Sequence, residues 1–191
     1  IPPRHPTAAS HRSIPRPCGT CALSALDGCG SSRAACTVTS MISKASGAKA
    51  DRLLAPGEHI TWAEGRRSLT TLATPGHTNG CVSYSDAQIG CVFTGDALLI
   101  DGCGRTDFQE GSAATLYESV QGQLFSLPSE TLVLPAHDYK GRAYSTVGAQ
   151  KATNPRFAKG KEGFVEIMRN LSLPHPKKID VAVPANLACG I

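Results

Sequence analysis

Three short segments of the sequence each place a histidine or an aspartate directly after an apolar, strand-like run. The segments are Thr74-Pro75-Gly76-His77-Thr78, Phe93-Thr94-Gly95-Asp96 and Leu134-Pro135-Ala136-His137-Asp138-Tyr139. Because polar side chains at the ends of strands in α/β sheets converge on shared sites, the pattern predicts that His77, Asp96 and His137 lie close together. Gly76 and Gly95 favour this arrangement, since glycine allows the backbone to turn sharply.

Two histidines and one carboxylate are suitable ligands for zinc, iron or manganese. A single histidine is more often a surface residue or a hydrogen-bonded core residue, and that interpretation holds for the four histidines outside these segments. They are His5, His11, His59 and His175. The repetition of one pattern at three strand ends favours a metal site over three unrelated polar residues.

The composition indicates one compact domain and excludes several functions. The chain has 191 residues, 41% of them hydrophobic, which is enough for a core. Its lysines and arginines are scattered without interleaved aromatics, which argues against nucleic-acid binding; the net charge of +4 also suits an anionic small substrate. An apolar run of about 18 residues is missing, so membrane insertion is not expected. The eight cysteines are interpreted mostly as reduced thiols.

Residues 1–40 differ in composition from the rest of the chain. They are rich in proline and arginine, and Asp27 is their single acid. We predict a disordered arm over 1–40, with a composition like that of a transit peptide, followed by a partial globular domain over 41–191. A zinc site or redox role for Cys18 and Cys21, which form a C-x-x-C, is disfavoured because the flanking sequence lacks the corresponding signals.

The globular part predicts strands first and then strands mixed with helices, which indicates an α/β layered domain. The predicted strands are Met41–Ser46, His59–Ala63, Ser68–Ala73, Cys81–Tyr84, Gly90–Thr94 and Thr131–Ala136. The predicted helices run from a Ser112 cap to Phe125 and from Lys161 to Leu171.

The three strand-end segments, in this order, resemble the later metal-binding motifs of the metallo-β-lactamase superfamily. A longer string, Ala97 to Gln109 (ALLIDGCGRTDFQ), resembles persulfide dioxygenases of the type defective in ethylmalonic encephalopathy. Further matches are Ser145-Thr146-Val147, Asn154-Pro155-Arg156 and Val183-Pro184-Ala185-Asn186. The resemblance covers residues 41–191 and implies an α/β, metallo-β-lactamase-like αββα sandwich that is N-terminally incomplete.

This resemblance implies the chemistry of the site. It predicts one Fe(II) per monomer held by His77 and Asp96, with His137 and Tyr139 as catalytic residues of the pocket. His137 matches the histidine that binds a second metal in dinuclear relatives. The implied substrates are glutathione persulfide and O₂, the product is sulfite, the location is the mitochondrial matrix, and a homodimer is compatible with the family.

Two arginines are predicted to bind substrate. Arg156 is suited to pair with a carboxylate of glutathione through two hydrogen bonds. Arg105 is the second candidate, although a structural ion pair beside the site is the favoured interpretation of this residue. Cys103 and Cys189 resemble thiols near the family site; oxidation and simple packing both remain open for them.

The family's first metal motif, His-x-His-x-Asp-His, has no counterpart in this sequence. Since that motif supplies the remaining histidine ligand, its absence leaves two alternatives beside the dioxygenase. One is a catalytically inactive relative or fragment. The other is a glutathione thioester hydrolase of the glyoxalase II type, which would need the same missing motif.

Overall fold

The computed structural model describes residues 25–26 and 38–189. The predicted arm over 1–40 lies almost entirely outside the described residues, so the proposed domain boundary stays a prediction. The same holds for the four N-terminal cysteines: Cys18, Cys21, Cys29 and Cys36.

The described residues contain ten strands in three sheets. The strands are β1 (Ala25–Leu26), β2 (Val38–Thr39), β3 (Met41–Ser43), β4 (Arg52–Leu54), β5 (His59–Trp62), β6 (Arg67–Ala73), β7 (Val82–Asp86), β8 (Cys91–Gly95), β9 (Leu132–Pro135) and β10 (Ser145–Thr146). The largest sheet has six strands in the order β10-β9-β8-β7-β6-β5, while β1–β2 and β3–β4 form two-stranded sheets. All neighbours in the large sheet are antiparallel except β8 and β9.

The predicted strands over 59–63 and 68–73 pair as the hairpin β5–β6, and those over 81–84 and 90–94 pair as the hairpin β7–β8. The first turn is tight because Ala63, Glu64 and Gly65 all have positive φ angles, of 51°, 57° and 80°. At the second turn, the Asp86 carboxylate accepts hydrogen bonds from the backbone N–H groups of Gln88 and Ile89.

The parallel pairing of β8 and β9 requires a crossover, which helix α1 (Ala113–Ser119) supplies. The Ser112 side chain accepts a hydrogen bond from Thr115 N–H, which confirms the predicted cap. The helix continues as a π-helical turn, Val120–Leu124, and ends at Phe125 as predicted.

The core has two parts, one on each face of the large sheet. The helix side is filled by Leu116, Val120 and Leu124 together with sheet residues such as Val92 and Val133. Helix α3 (Gly160–Arg169) adds Phe164 and Met168, which confirms the predicted amphipathic helix. The opposite face packs Ile60, Leu69, Val82 and Tyr84 against Met41 and Leu54 of the β3–β4 sheet. Helix, six-stranded sheet and second sheet therefore form successive layers, as expected for the predicted α/β class.

Some details differ from the sequence predictions. The predicted strand over 41–46 ends at Ser43, because its side chain accepts a hydrogen bond from Ala45 N–H and starts a 3₁₀ turn over Lys44–Ser46. Helices α2 (Val147–Thr153) and α4 (Ile179–Leu187) were not predicted. No helix in the described part of the chain is long and apolar enough to span a membrane.

Candidate metal centre

The structure brings together the three strand-end residues. His77 follows β6, Asp96 follows β8 and His137 follows β9. His77 Nε2 lies 3.6 Å from Asp96 Oδ2, and His137 Nδ1 lies 3.3 Å from Asp96 Oδ1. His77 and Asp96 are buried, whereas the His137 side chain is 40% exposed. The predicted convergence is therefore observed, with Asp96 in the middle.

The main chain positions His77 from two sides. Gly76 has φ of 132° and lies so close to helix α1 that an added Cβ would stand 2.4 Å from the backbone of Leu116. The Ser119 hydroxyl donates to Pro75 O at 2.8 Å, and Ser112 N–H donates to Gly76 O at 2.8 Å. The turn before His77 is thus fixed against the helix.

The His77 ring is also fixed at its own Nδ1. This atom lies 2.5 Å from the backbone carbonyl of Arg105, so Nδ1–H donates to that oxygen. The opposite nitrogen, Nε2, is buried and makes no hydrogen bond to the described residues. Buried Asp96 Oδ1 makes none there either, although His137 Nδ1 lies 3.3 Å from it. Buried polar atoms nearly always have hydrogen-bond partners, so His77 Nε2 and Asp96 Oδ1 are candidate positions for binding a ligand.

Backbone hydrogen bonds hold the loops that carry Asp96 and His137 in place. Gly104 N–H donates to Asp96 O at 2.7 Å, which closes loop 96–104 on itself. Ala136 N–H donates to Gly95 O at 3.0 Å, so the residues before His137 and before Asp96 are in direct contact.

His137 and Tyr139 form a second pair at the mouth of the site. His137 Nε2 lies 2.9 Å from the Tyr139 hydroxyl, and the two rings meet edge to face. Tyr139 is 88% exposed. Its hydroxyl is therefore within reach of a molecule that enters from solvent.

The two predicted substrate arginines have different surroundings. Arg105 donates to both carboxylate oxygens of Asp107 at 2.6 and 2.7 Å and to Pro174 O at 3.0 Å. Its guanidinium also lies over the Phe108 ring at 4.6 Å. The structure thus shows the ion pair that the sequence favoured, and substrate contact by Arg105 stays an untested prediction.

Arg156 is half-buried and close enough to lower the pKa of the Cys103 thiol, although burial dominates and raises that pKa to about 12. Its guanidinium makes no hydrogen bond or ion pair with the described residues, and its backbone N–H donates to the Asn154 side chain. Its charge is therefore available for an anion.

A sequence profile of the metallo-beta-lactamase superfamily matches residues 54–137, a range that contains all three strand-end residues. The chain belongs to the metallo-beta-lactamase superfamily. Within it, the chain is 53% identical over 152 residues to the human mitochondrial persulfide dioxygenase ETHE1 and 51% identical to that of Mus musculus. Each match covers 80% of this chain and 59% of the relative.

The fold is similar to that of a solved ETHE1 structure. The crystal structure of ETHE1 from Myxococcus xanthus is 49% identical and superposes with a TM-score of 0.74, covering 79% of this chain and 66% of that one. This confirms the predicted metallo-β-lactamase fold class and the predicted family resemblance. The chain spans about 59% of the length of the human and mouse relatives.

Membership of the metallo-beta-lactamase superfamily implies a bound metal. The residues of this chain provide part of a suitable metal site. His77 Nε2 and Asp96 Oδ1, which make no hydrogen bond to the described residues, suit two ligand positions. However, within the described ranges no group of three His, Cys, Asp or Glu side chains is arranged to hold a metal ion. His77 and Asp96 are therefore two candidate ligands, and a third must come from elsewhere or from solvent.

Several residues that build this superfamily site were missed in the sequence. Gly104 seats the His77 ring, and Asp101, Arg142 and Gln150 hold the loop around it. The sequence did carry a signal for Gly104, because it is a glycine close to a candidate metal ligand, Asp96. The other three carried no local signal because their partners lie 41 and 49 residues apart.

Proposed function

We propose that this chain is a persulfide dioxygenase that uses Fe(II) to oxidise glutathione persulfide with O₂ in the mitochondrial matrix. The observation that carries the proposal is that two buried atoms, His77 Nε2 and Asp96 Oδ1, make no hydrogen bond to the described residues. The relatives at 51% and 53% identity, both named mitochondrial persulfide dioxygenases, support the reaction and the location.

The overall reaction balances without a further oxidant. Glutathione persulfide, O₂ and water give glutathione, sulfite and two protons; the outer sulfur is oxidised and O₂ is reduced. Bound Fe(II) would supply open coordination positions for the persulfide sulfur and O₂.

The protein residues then have distinct roles. His77 keeps Nε2 directed at the site because Nδ1–H is bonded to Arg105 O. Tyr139 and His137 lie at the exposed side of the site, where the tyrosine hydroxyl would orient the substrate. The free guanidinium of Arg156 would pair with a glutathione carboxylate.

The decisive experiment is metal content followed by turnover. Folded protein is reconstituted anaerobically with Fe(II), and iron per chain is measured for wild type, His77→Ala and Asp96→Ala. His59→Ala is the matched control, because His59 is exposed and its Nδ1 contacts only Thr70 among the described residues. The proposal expects bound iron that both site variants lose and the control keeps, together with persulfide-dependent oxygen uptake and sulfite formation.

A non-catalytic superfamily member is the second candidate, and the two-ligand set within the described residues favours it. Folded wild-type protein that takes up no iron would support this candidate and overturn the dioxygenase. Hydrolysis of S-lactoylglutathione without oxygen uptake would instead identify a thioester hydrolase.

A further inference from the structure

Arg142 lies at the end of the loop that follows β9, and it closes that loop around Asp138. Its Nη2 and Nε atoms donate to the two carboxylate oxygens of Asp138 at 2.8 and 3.3 Å. The backbone N–H groups of Arg142 and Lys140 also donate to Asp138 Oδ2, at 2.8 and 3.0 Å. The Asp138 side chain is 6% exposed and that of Arg142 is 35% exposed, so this set of bonds is partly shielded from water.

The same guanidinium crosses to loop 96–104. Its Nη1 pairs with the carboxylate of Asp101, and its Nη2 donates to Ile100 O at 3.1 Å. Asp101 is held in turn by its own N–H, which donates to the side chain of buried Gln150 at 2.8 Å. Arg142 therefore links the β9 loop to a loop that is anchored on helix α2.

These two loops carry the site. Loop 96–104 starts at Asp96, whose carbonyl accepts from Gly104 N–H. His137 and Tyr139 flank Asp138, so the bonds to Asp138 act on both neighbours in the chain. A shift between the loops would change the distance of 3.3 Å that joins His137 Nδ1 to Asp96 Oδ1.

We propose that Arg142 is a positioning residue that sets where His137 and Tyr139 stand relative to Asp96. The role rests on the proposed function insofar as it assigns His137 and Tyr139 to the substrate pocket. A guanidinium can do this because its fixed fork of donors serves a carboxylate and a carbonyl on different loops at once, whereas an ammonium group is a single point of charge.

The side chains of Arg142, Asp138 and Asp101 stay ionised at neutral pH. Hydrogen bonds from Arg142 hold the pKa of both Asp138 and Asp101 below the ordinary aspartate value, and the two carboxylates raise the pKa of Arg142. The ion pairs of Arg142 with Asp138 and Asp101 therefore persist at neutral pH.

Two variants separate the bond between Arg142 and Asp101 from the other side-chain bonds of Arg142. Arg142→Met removes all of its side-chain bonds, while Asp101→Gly removes only the carboxylate bridge between the loops. Glycine is suitable at this position because Asp101 has φ of 57°. Arg52→Met is the matched control, since Arg52 also bonds a carboxylate, Glu58, and a carbonyl, His59 O, and has a similar exposure of 40% against 35%.

The first readout is the long-range ¹H–¹⁵N spectrum of the histidine rings in the folded proteins at neutral pH. Arg142→Met and Asp101→Gly should both shift the His137 ring signals, Arg142→Lys should shift them partly, and Arg52→Met should leave them unchanged. Unchanged His137 signals in folded Arg142→Met would overturn the proposal. A shift in Arg142→Met but not in Asp101→Gly would support the proposal and assign the link between the loops to the remaining bond from Arg142 Nη2 to Ile100 O.

The second readout is the affinity for reduced glutathione, measured by calorimetry. Arg142→Met should raise Kd about tenfold, within the range for residues that orient a site, and this effect should vanish in a His137→Ala, Tyr139→Phe background. An equal effect in that background would overturn positioning through these residues. If wild type does not bind glutathione, the proposed function fails at this point, while the His137 signals still decide the role of Arg142.

Discussion

The ring of His77 is oriented by the main chain of Arg105, whose carbonyl oxygen lies 2.5 Å from His77 Nδ1. This bond fixes the tautomer and leaves Nε2 as the nitrogen available to a metal. Because the contact uses a backbone oxygen, it depends on the conformation of loop 104–108 and on whatever holds that loop in place.

Arg105→Ala should weaken Fe(II) binding about tenfold, the lower end of the effect of residues that orient metal ligands. The Arg105 side chain anchors the loop through Asp107 and Pro174 O, so its loss frees the carbonyl that orients His77. The measurement is an anaerobic Fe(II) titration of the folded variant. Arg66→Ala is the control, since the Arg66 guanidinium is 77% exposed and remote in sequence. A raised KM with unchanged metal affinity would instead assign Arg105 to substrate binding.

Gly104→Ala should displace the His77 ring. A Cβ at this position would lie 2.6 Å from Asp96 O and 2.8 Å from His77 Nδ1, closer than real contacts allow. We expect a loss of about 1–3 kcal/mol in the free energy of unfolding, as for other overpacked sites, and impaired metal binding. Urea unfolding and Fe(II) titration measure the two effects.

The control for this substitution is Gly122→Ala in the π-helical turn. A Cβ on Gly122 meets no atom within 4 Å, so this variant should keep both stability and metal affinity. Equal behaviour of the two alanine variants would mean that Gly104 does not seat His77.

The ion pair between Arg67 and buried Asp86 makes stability depend on pH. Burial alone would raise the pKa of Asp86, but hydrogen bonds from Arg67 and from the N–H groups of Ile89 and Gln88 outweigh it and hold the pKa below the ordinary value of 3.8. A lowered folded-state pKa contributes stability above the unfolded pKa, and that contribution is lost as the pH falls through the folded pKa.

Asp86→Asn should therefore be less stable than wild type at pH 7 by about 1.5 kcal/mol, the typical contribution of a hydrogen bond to a charged group. The difference should shrink as the pH falls below about 4. Urea unfolding between neutral and acidic pH tests this, with Glu130→Gln as an exposed control. A difference that stays constant with pH would show that the loss is one of packing and not of charge.

The sequence carried enough information for the local elements and for the strand-end site. The Ser112 cap, the β5–β6 and β7–β8 hairpins and the convergence of His77, Asp96 and His137 depend on short-range patterns, and the structure shows them. Helix α4 escaped prediction because Pro184 inside it is normally a helix breaker.

The supports of the site could not be predicted from the sequence. Arg142 reaches Asp101 across 41 positions, and Gln150 reaches the same residue across 49. Such contacts arise only when β9 and helix α2 pack beside loop 96–104. Arginine, aspartate and glutamine are typical of any solvated loop, so the sequence pattern alone predicts that these are surface residues.

Cys103 should resist alkylation although it lies near the site. Burial raises the pKa of its thiol to about 12, and its sulfur packs 3.7 Å from Met168 Sδ. At pH 8 only about one thiol in ten thousand would be ionised, and the thiolate is the reactive form. Iodoacetamide labelling followed by peptide mass spectrometry should therefore modify exposed Cys189 well before Cys103. The difference should disappear in urea, where both thiols are exposed. Equal labelling rates in the folded protein would show that Cys103 is accessible and ionised, and would reopen the possibility that persulfide chemistry modifies this thiol.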